Sequence, residues 1–285
     1  MKLVIFSHRD DPAAHSHVGA LEDDEVVCLS EAGVAGTMIE LVTGGAEALS
    51  RAKAAVKTAP RYRLSSVKLD APIRPGKVLC SGINYKGHAE ENPNAKMPTE
   101  PFFFAKLSSS VCGPEAPVPK PPQTEQMDYE VEFSAVIGKR LFLAAEEDVM
   151  PAIFGYTLLN DVSARDVQFK DAQITLGKNF YHFAPIGPAI VTTDEMTDPN
   201  NVALKTRLNG ETLQDGNTSD WLFPLPKLIA FLSHVMPLEP GDIVTTGTPA
   251  GVGVFRKPQI FMKAGDVVEV EASGIGVLKN PIVAG

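Results

Sequence analysis

Glycine and proline set the first limit on what this chain can fold into. There are 23 of each, scattered through 285 residues. Glycine supplies the backbone angles that tight turns need, and proline removes a donor that helix interiors and central strands require. The apolar runs between them are short and rich in Val, Ile, Leu and Phe. This favours many short strands over a helical bundle. Hydrophobic residues make up 44% and charged residues 21%, which argues against disordered or fibrous structure. The length suits one large domain, or one domain with a small companion.

The net charge is −9 and no Lys/Arg cluster stands out, which argues against nucleic acid or an anionic membrane as partner. A negative chain that handles a negative substrate must gather positive charge locally, through a metal ion or a few placed Lys and Arg. Cys28, Cys80 and Cys112 are odd in number and widely spaced. They fit neither a zinc motif nor a disulfide framework and read as buried reduced thiols. The apolar start at residues 1–6 reaches charge by His8 and Arg9, which is short for a signal peptide. No stretch is long enough to span a bilayer, so a cytoplasmic location is expected.

Residues 1–71 read as a small α+β unit, with strands at 3–6, 18–21 and 25–29 and helices at 37–42 and 46–57. His15 and His17 would share one face of a strand, but a metal site there needs further ligands, and a solvated loop is the simpler reading. Residues 72–76 form a Pro/Gly joint. Residues 72–285 read as strand-rich, with strands at 77–80, 102–105, 129–137, 156–160, 242–246, 259–262, 266–270 and 276–278. Helices are expected at 146–153 and 226–236, the latter burying Leu228, Leu232 and Val235 as a stripe. The expected class is therefore α+β and β-rich, a β-roll or sandwich carrying a few helices.

The most informative segment is 128–137. Side chains alternate along a strand. Val131, Phe133, Ala135 and Ile137 then face a core, while Glu130 and Glu132 stand side by side on the other face. Adjacent carboxylates repel unless solvated, protonated or bridged by a cation. A second apolar strand ends in Asn160-Asp161, which could bring a third carboxylate. Oxygen-only ligands favour Mg2+, with Mn2+ or Ca2+ as alternatives. Alternation alone also fits the wet face of an amphipathic strand.

A series of ordered motifs weighs against that blander reading. It comprises Gly82-Ile83-Asn84-Tyr85-Lys86-Gly87-His88, Asp128-Tyr129-Glu130-Val131-Glu132, Asn160-Asp161-Val162-Ser163-Ala164-Arg165-Asp166, Gly177-Lys178-Asn179-Phe180, Pro185-Ile186-Gly187-Pro188, Gln214-Asp215-Gly216-Asn217-Thr218 and Gly247-Thr248-Pro249-Ala250-Gly251. Together they resemble the fumarylacetoacetate hydrolase family across residues 72–285. The part before residue 72 resembles the small accessory domain of many bacterial members.

The resemblance implies a mixed β-sandwich or β-roll catalytic domain and a homodimer. It implies Glu130, Glu132 and Asp161 as metal ligands and Lys178 at the metal and substrate. Arg165, Gln168, Tyr85 and Thr248 are implied as substrate contacts, with His88 and Glu91 on a mobile short helix that closes over the substrate. One departure is visible: Tyr181-His182 stands where many members carry Asp, which puts the shape of the pocket in question.

His88 and Glu91 are three apart and share a helix face, so Glu91 can fix the imidazole tautomer. The mechanism expected from these residues is hydrolytic. His88 activates water, the carbonyl beside the scissile carbon–carbon bond is attacked, and Lys178 with Mg2+ stabilises the departing enolate. Gly87 and Asn92-Pro93 are candidate hinges for closure of residues 82–92. Arg165 could instead pair structurally with Asp161 or Asp166. The expected substrate is a small carboxylated keto compound such as an acylpyruvate. The alternative is a lyase or isomerase on the same scaffold: a keto-acid decarboxylase, dehydratase or keto–enol tautomerase. A non-enzymatic metal-binding module is the third reading, which failure to bind magnesium would favour.

Overall fold

The computed structural model describes residues 1–285 apart from Pro12, residues 93–96 and Asp171; the Pro93 hinge therefore lies outside the described residues. Along the chain run β1 (Lys2–His8), β2 (His17–Glu22), β3 (Glu25–Cys28), α1 (Met38–Thr43), α2 (Gly45–Ala55), β4 (Arg61–Arg63), β5 (Val67–Asp70), β6 (Val78–Ser81), α3 (Lys86–Glu91), β7 (Phe103–Lys106), β8 (Val111–Cys112) and β9 (Val118–Lys120). Then follow β10 (Met127–Asp128), β11 (Val131–Ile137), α4 (Glu146–Val149), β12 (Ile153–Asn160), β13 (Ser163–Ala164), α5 (Arg165–Gln168), α6 (Thr175–Lys178) and β14 (Ala184–Thr192). The chain closes with β15 (Ala203–Leu208), β16 (Glu211–Asn217), α7 (Leu225–Ser233), β17 (Ile243–Thr245), β18 (Val267–Ala272) and β19 (Gly276–Ala284). The fold is α+β and strand-rich, as expected.

One large mixed sheet has the order β4-β3-β2-β1-β14-β12-β11-β17-β6-β7, with β5 joined to β1 and β8 to β14. A second sheet, β16-β15-β18-β19-β9, packs its apolar residues against the first. The N-terminal strands do not form a sheet of their own. Lys2 and Leu3 of β1 pair with Val191 and Ile190 of β14. One apolar cluster joins Leu3, Leu41 and Ile73 to Val136, Phe154 and Ile190, so the apolar core runs across the joint at 72–76.

β11 lies inside the large sheet, between β12 and β17. Val131, Phe133, Ala135 and Ile137 enter the core shared with Leu158, Trp221 and Ile229. Val136 faces the other cluster. A central strand covered on both sides has no wet face, so the solvated reading of Glu130 and Glu132 does not hold.

Three expectations are corrected. Residues 259–262 form no strand. The backbone there bonds to loops instead, Ile260 N–H donating to Gly253 and Met262 N–H to Met127. α7 ends at Ser233, so Val235 lies past the helix and is 66% exposed rather than in the buried stripe. The helix expected over 146–153 stops at Val149, continues as a 3-10 turn, and yields to β12 at Ile153.

Candidate active site

Strand register assembles the acids. Val131 pairs with Asn160, so Glu130 and Asp161 leave neighbouring strands side by side. The Asp161 N–H donates to the Glu130 carbonyl at 2.9 Å, and the Glu130 N–H to Asn160 Oδ1 at 3.1 Å. Glu132 follows on the same face. Carboxylate oxygens of Glu130, Glu132 and Asp161 lie within 4.8 Å of one another, all three residues buried.

Lys178 closes the group. Its Nζ donates to Glu130 Oε2 at 2.8 Å and to Asp161 Oδ2 at 2.6 Å, above the Phe104 ring. Gly177 makes this seat possible: a Cβ there would lie 2.6 Å from the backbone of Gln168, so a larger residue would push α6 away from α5. Arg165 holds the other side. Its Nε donates to Asp128 Oδ2 at 2.9 Å, Nη2 to Glu130 Oε1 at 2.6 Å, and Nη1 to Gln168 Oε1 at 3.1 Å. Its partners are thus Asp128 and Glu130, not Asp161 or Asp166. Asp166 is taken by the Thr124 hydroxyl and the Glu125 N–H.

Two site residues escaped the sequence reading. Lys106 is buried behind Asp161. It donates to the carbonyls of Val162, Lys178 and Phe183 at 2.9, 2.6 and 2.8 Å, and its ammonium lies 2.5 Å from Asp161 Oδ1. Asp128 accepts from Gly253 and Val254 N–H as well as from Arg165. It thereby ties the acidic strand to the 247–255 loop. Replacing Lys106 by Met is expected to cost about 3–5 kcal/mol of stability, because it leaves three buried carbonyls without their donor and takes from Asp161 one of its two neighbouring ammonium groups. Urea unfolding at neutral pH measures the loss.

The charges do not balance evenly. Burial opposes ionisation of Glu130, but Arg165 and Lys178 outweigh it and hold that carboxyl well below its ordinary range. Burial, then repulsion from Asp161 and Glu130, pushes Glu132 well above its ordinary value. Burial also raises Asp161, although Lys106 and Lys178 pull the other way. For Lys178, burial is outweighed by Asp161 and Glu130, so the ammonium is favoured.

The donor set fits a divalent cation. Glu132 Oε2 and Asp161 Oδ1 are buried without a hydrogen-bond partner among the described residues. Asp161 Oδ1 has only the nearby Lys106 ammonium, whose N–H groups go to carbonyls. Buried acceptors left over in this way, all oxygen, suit Mg2+ or Mn2+. Two acids with raised pKa must shed protons to bind an ion. Cation binding is therefore expected to release protons and to weaken as pH falls. Calorimetric titration of Mn2+ in two buffers of different ionisation enthalpy reads that release; identical heats would contradict it.

These groups face a cavity of about 290 Å³ whose wall includes His88, Glu130, Glu132, Arg165, Gln168, Lys178 and Thr248, with Phe102, Phe104 and Phe255 as apolar surface. His88 Nδ1 lies 3.2 Å from Glu91 Oε2. Glu91 Oε1 accepts from the Gly251 N–H, and the Gly87 N–H donates to Asp220 Oδ2 at 2.9 Å. α3 is thus docked on the 247–255 loop. Gln214 donates to Thr248 Oγ1 at 2.8 Å and fixes that hydroxyl.

Tyr85 does not join the group. It is fully buried in the core with Phe133 and Trp221, its hydroxyl 3.5 Å from Thr246 Oγ1. The reason is Asn84, which bonds Phe223 and Thr246 and turns the next side chain inward. Tyr181 is 63% exposed, stacked on His182, and absent from the cavity wall.

Residues 77–283 match the fumarylacetoacetate (FAA) hydrolase C-terminal family. The chain belongs to the fumarylacetoacetate hydrolase family. A mitochondrial oxaloacetate tautomerase of Xenopus laevis is 40% identical over 99% of this chain and 90% of its own. Among solved structures, a fumarylacetoacetate hydrolase from Exiguobacterium antarcticum is 34% identical over the whole of both chains, with a TM-score of 0.86. A maleylpyruvate hydrolase from Sphingobium sp. SYK-6, in complex with manganese(II) and pyruvate, is 29% identical over the whole of both chains, with a TM-score of 0.84. Among the described residues no helix is long and apolar enough to cross a membrane.

Proposed function

We propose that the chain interconverts the keto and enol forms of a small 2-oxo dicarboxylate of the oxaloacetate class, using a divalent cation. This replaces hydrolysis as the leading reading. The observation that carries it is the pairing, on one cavity wall, of His88 backed by Glu91 with a lysine held as ammonium. Enolisation needs little more: a base to take a proton from the carbon beside the carbonyl, and a donor for the oxygen that gains charge. The naming of the Xenopus laevis relative as an oxaloacetate tautomerase supports the choice over hydrolysis.

His88 takes the C–H proton at the nitrogen that Glu91 leaves free. The C–H electron pair forms the carbon–carbon double bond, the carbonyl π pair moves to oxygen, and that oxygen accepts a proton from the Lys178 ammonium; His88 then loses its proton to solvent and Lys178 regains one, which resets the site. Thr248 and Gln168 hold a carboxylate and the substrate backbone, and the phenylalanines exclude water. Glu130, Glu132 and Asp161 would hold the cation, which supplies Lewis-acid polarisation of the carbonyl. Mg2+ is the ion we favour, with Mn2+ the alternative, and we propose a cytoplasmic homodimer as the working form.

A second reading, hydrolysis of an acylpyruvate, keeps one specific argument: a His–Glu pair can equally activate water. The deciding experiment follows the enol absorbance of oxaloacetate by stopped flow with Mg2+ or Mn2+, alongside acylpyruvates and diketo sugar acids whose products are identified by mass. Relaxation well above the buffer rate without cleavage products supports the tautomerase. Carbon–carbon cleavage faster than enol relaxation overturns it.

A further inference from the structure

We propose that the N-terminal edge of the large sheet carries a separate transition-metal site, formed by His17, Cys28 and Glu31 and suited to zinc. An imidazole nitrogen, the Cys28 sulfur and a Glu31 carboxylate oxygen lie within 4.8 Å of one another. None of the three lines the cavity described above. Pairing across strands creates the group: β2 runs antiparallel to both β1 and β3, with Phe6 opposite His17 and Gly19 opposite Cys28. No CxxC or HxxxH spacing announces it, because His17 comes from β2 while Cys28 and Glu31 lie at and just past the end of β3. His15, which the sequence placed beside His17, bonds Asp11 instead.

The surroundings orient each donor. His17 stacks on Phe6, ring centroids 5.4 Å apart. The Tyr62 hydroxyl bonds both carboxylate oxygens of Glu31, at 2.9 and 3.0 Å, and His8 packs edge-on against Tyr62 at 4.4 Å. A ligand carboxylate held by an outer hydrogen bond is the usual support of a metal site. One sulfur, one nitrogen and one oxygen donor make a borderline-soft set that selects Zn2+ over Mg2+. Glu31 is exposed while Cys28 is buried, so an ion held here would be reachable from solvent, which would supply its remaining ligand. A bound ion would fasten β2 to the end of β3 and, through Tyr62, to β4. Binding only to the folded chain, it would raise the melting temperature.

Cobalt(II) is the probe, added to protein already saturated with Mg2+ so that the carboxylate site is filled. A thiolate-to-cobalt charge-transfer band should appear, saturate at one ion per chain, and bleach on adding Zn2+. Cys28→Ser should abolish the band and Glu130→Gln should keep it. Glu31→Gln, at an exposed position that leaves the fold intact, should weaken cobalt binding more than about tenfold. Absence of the band in the wild-type protein overturns the site. So does a band that survives Cys28→Ser, or one that Glu31→Gln and His17→Gln both leave at wild-type affinity. None of these readouts depends on the reaction proposed above.

Discussion

Glu132→Gln should lose activity by about a thousandfold or more, while the metal-free protein becomes more stable. The two effects share one cause. Glu132 is buried, lacks a partner for Oε2, and stands beside two other acids. With a cation present its charge is needed, and losing it removes several kcal/mol of charge stabilisation, about three powers of ten in rate. Without the cation, that charge is only a burden. The pKa of Glu132 is raised by folding, so over the pH range above the ordinary carboxyl value the folded state binds more protons than the unfolded state. Stability of the metal-free chain therefore falls as pH rises through that range. The glutamine carries no such penalty. Its advantage should be small near pH 4 and grow to about 1–3 kcal/mol at pH 8, a few degrees in melting temperature. Scanning calorimetry in EDTA at both pH values, with Mn2+ titration of each protein, checks both halves. A variant less stable than wild type at pH 8 in EDTA would show that Glu132 is satisfied without a metal.

The acidic strand was legible because two simple rules meet there. Period-two alternation placed Val131 to Ile137 in the core, and a strand ending at Asn160-Asp161 needed only antiparallel register to bring Asp161 to Glu130. Burial on both faces was not legible, since it depends on which sheet covers the strand. β14 went unseen because its Pro185, Gly187 and Pro188 read as breakers. Lys106 went unseen for another reason. Its partner Val162 is 56 residues away, and a lysine in an ordinary strand end carries no local mark of burial. Tyr85 shows the opposite case: membership of a functional motif points to a site contact, but the side chain is buried away from the cavity wall, where Asn84 holds the backbone. The proposed ligands His17, Cys28 and Glu31 match no metal-spacing motif, because only strand pairing brings His17 to Cys28 and Glu31.

His88→Ala should lower kcat by about two to four powers of ten, with KM and cation affinity near wild type. On the described cavity wall the other acidic and basic groups are already committed: Glu130 to Arg165 and Lys178, and Arg165 to Asp128, Glu130 and Gln168. Glu132 is buried beside Glu130 and Asp161, where we propose that it holds the cation. His88 is the wall residue whose partner, Glu91, leaves one ring nitrogen free for a proton. That holds whether the proton comes from substrate carbon or from water, so the loss of kcat tests the base rather than the reaction. Glu91 separates two effects. Glu91→Gln keeps the size of the side chain and an acceptor for the Gly251 N–H, but not the charge behind the imidazole; it should reduce kcat alone, by about tenfold. Glu91→Ala also releases α3 from the Gly251 loop and should raise KM as well. If His88→Ala turned over at near wild-type rate with the true substrate, proton abstraction would belong to another group, and not to Lys178, which is held as ammonium by Glu130 and Asp161.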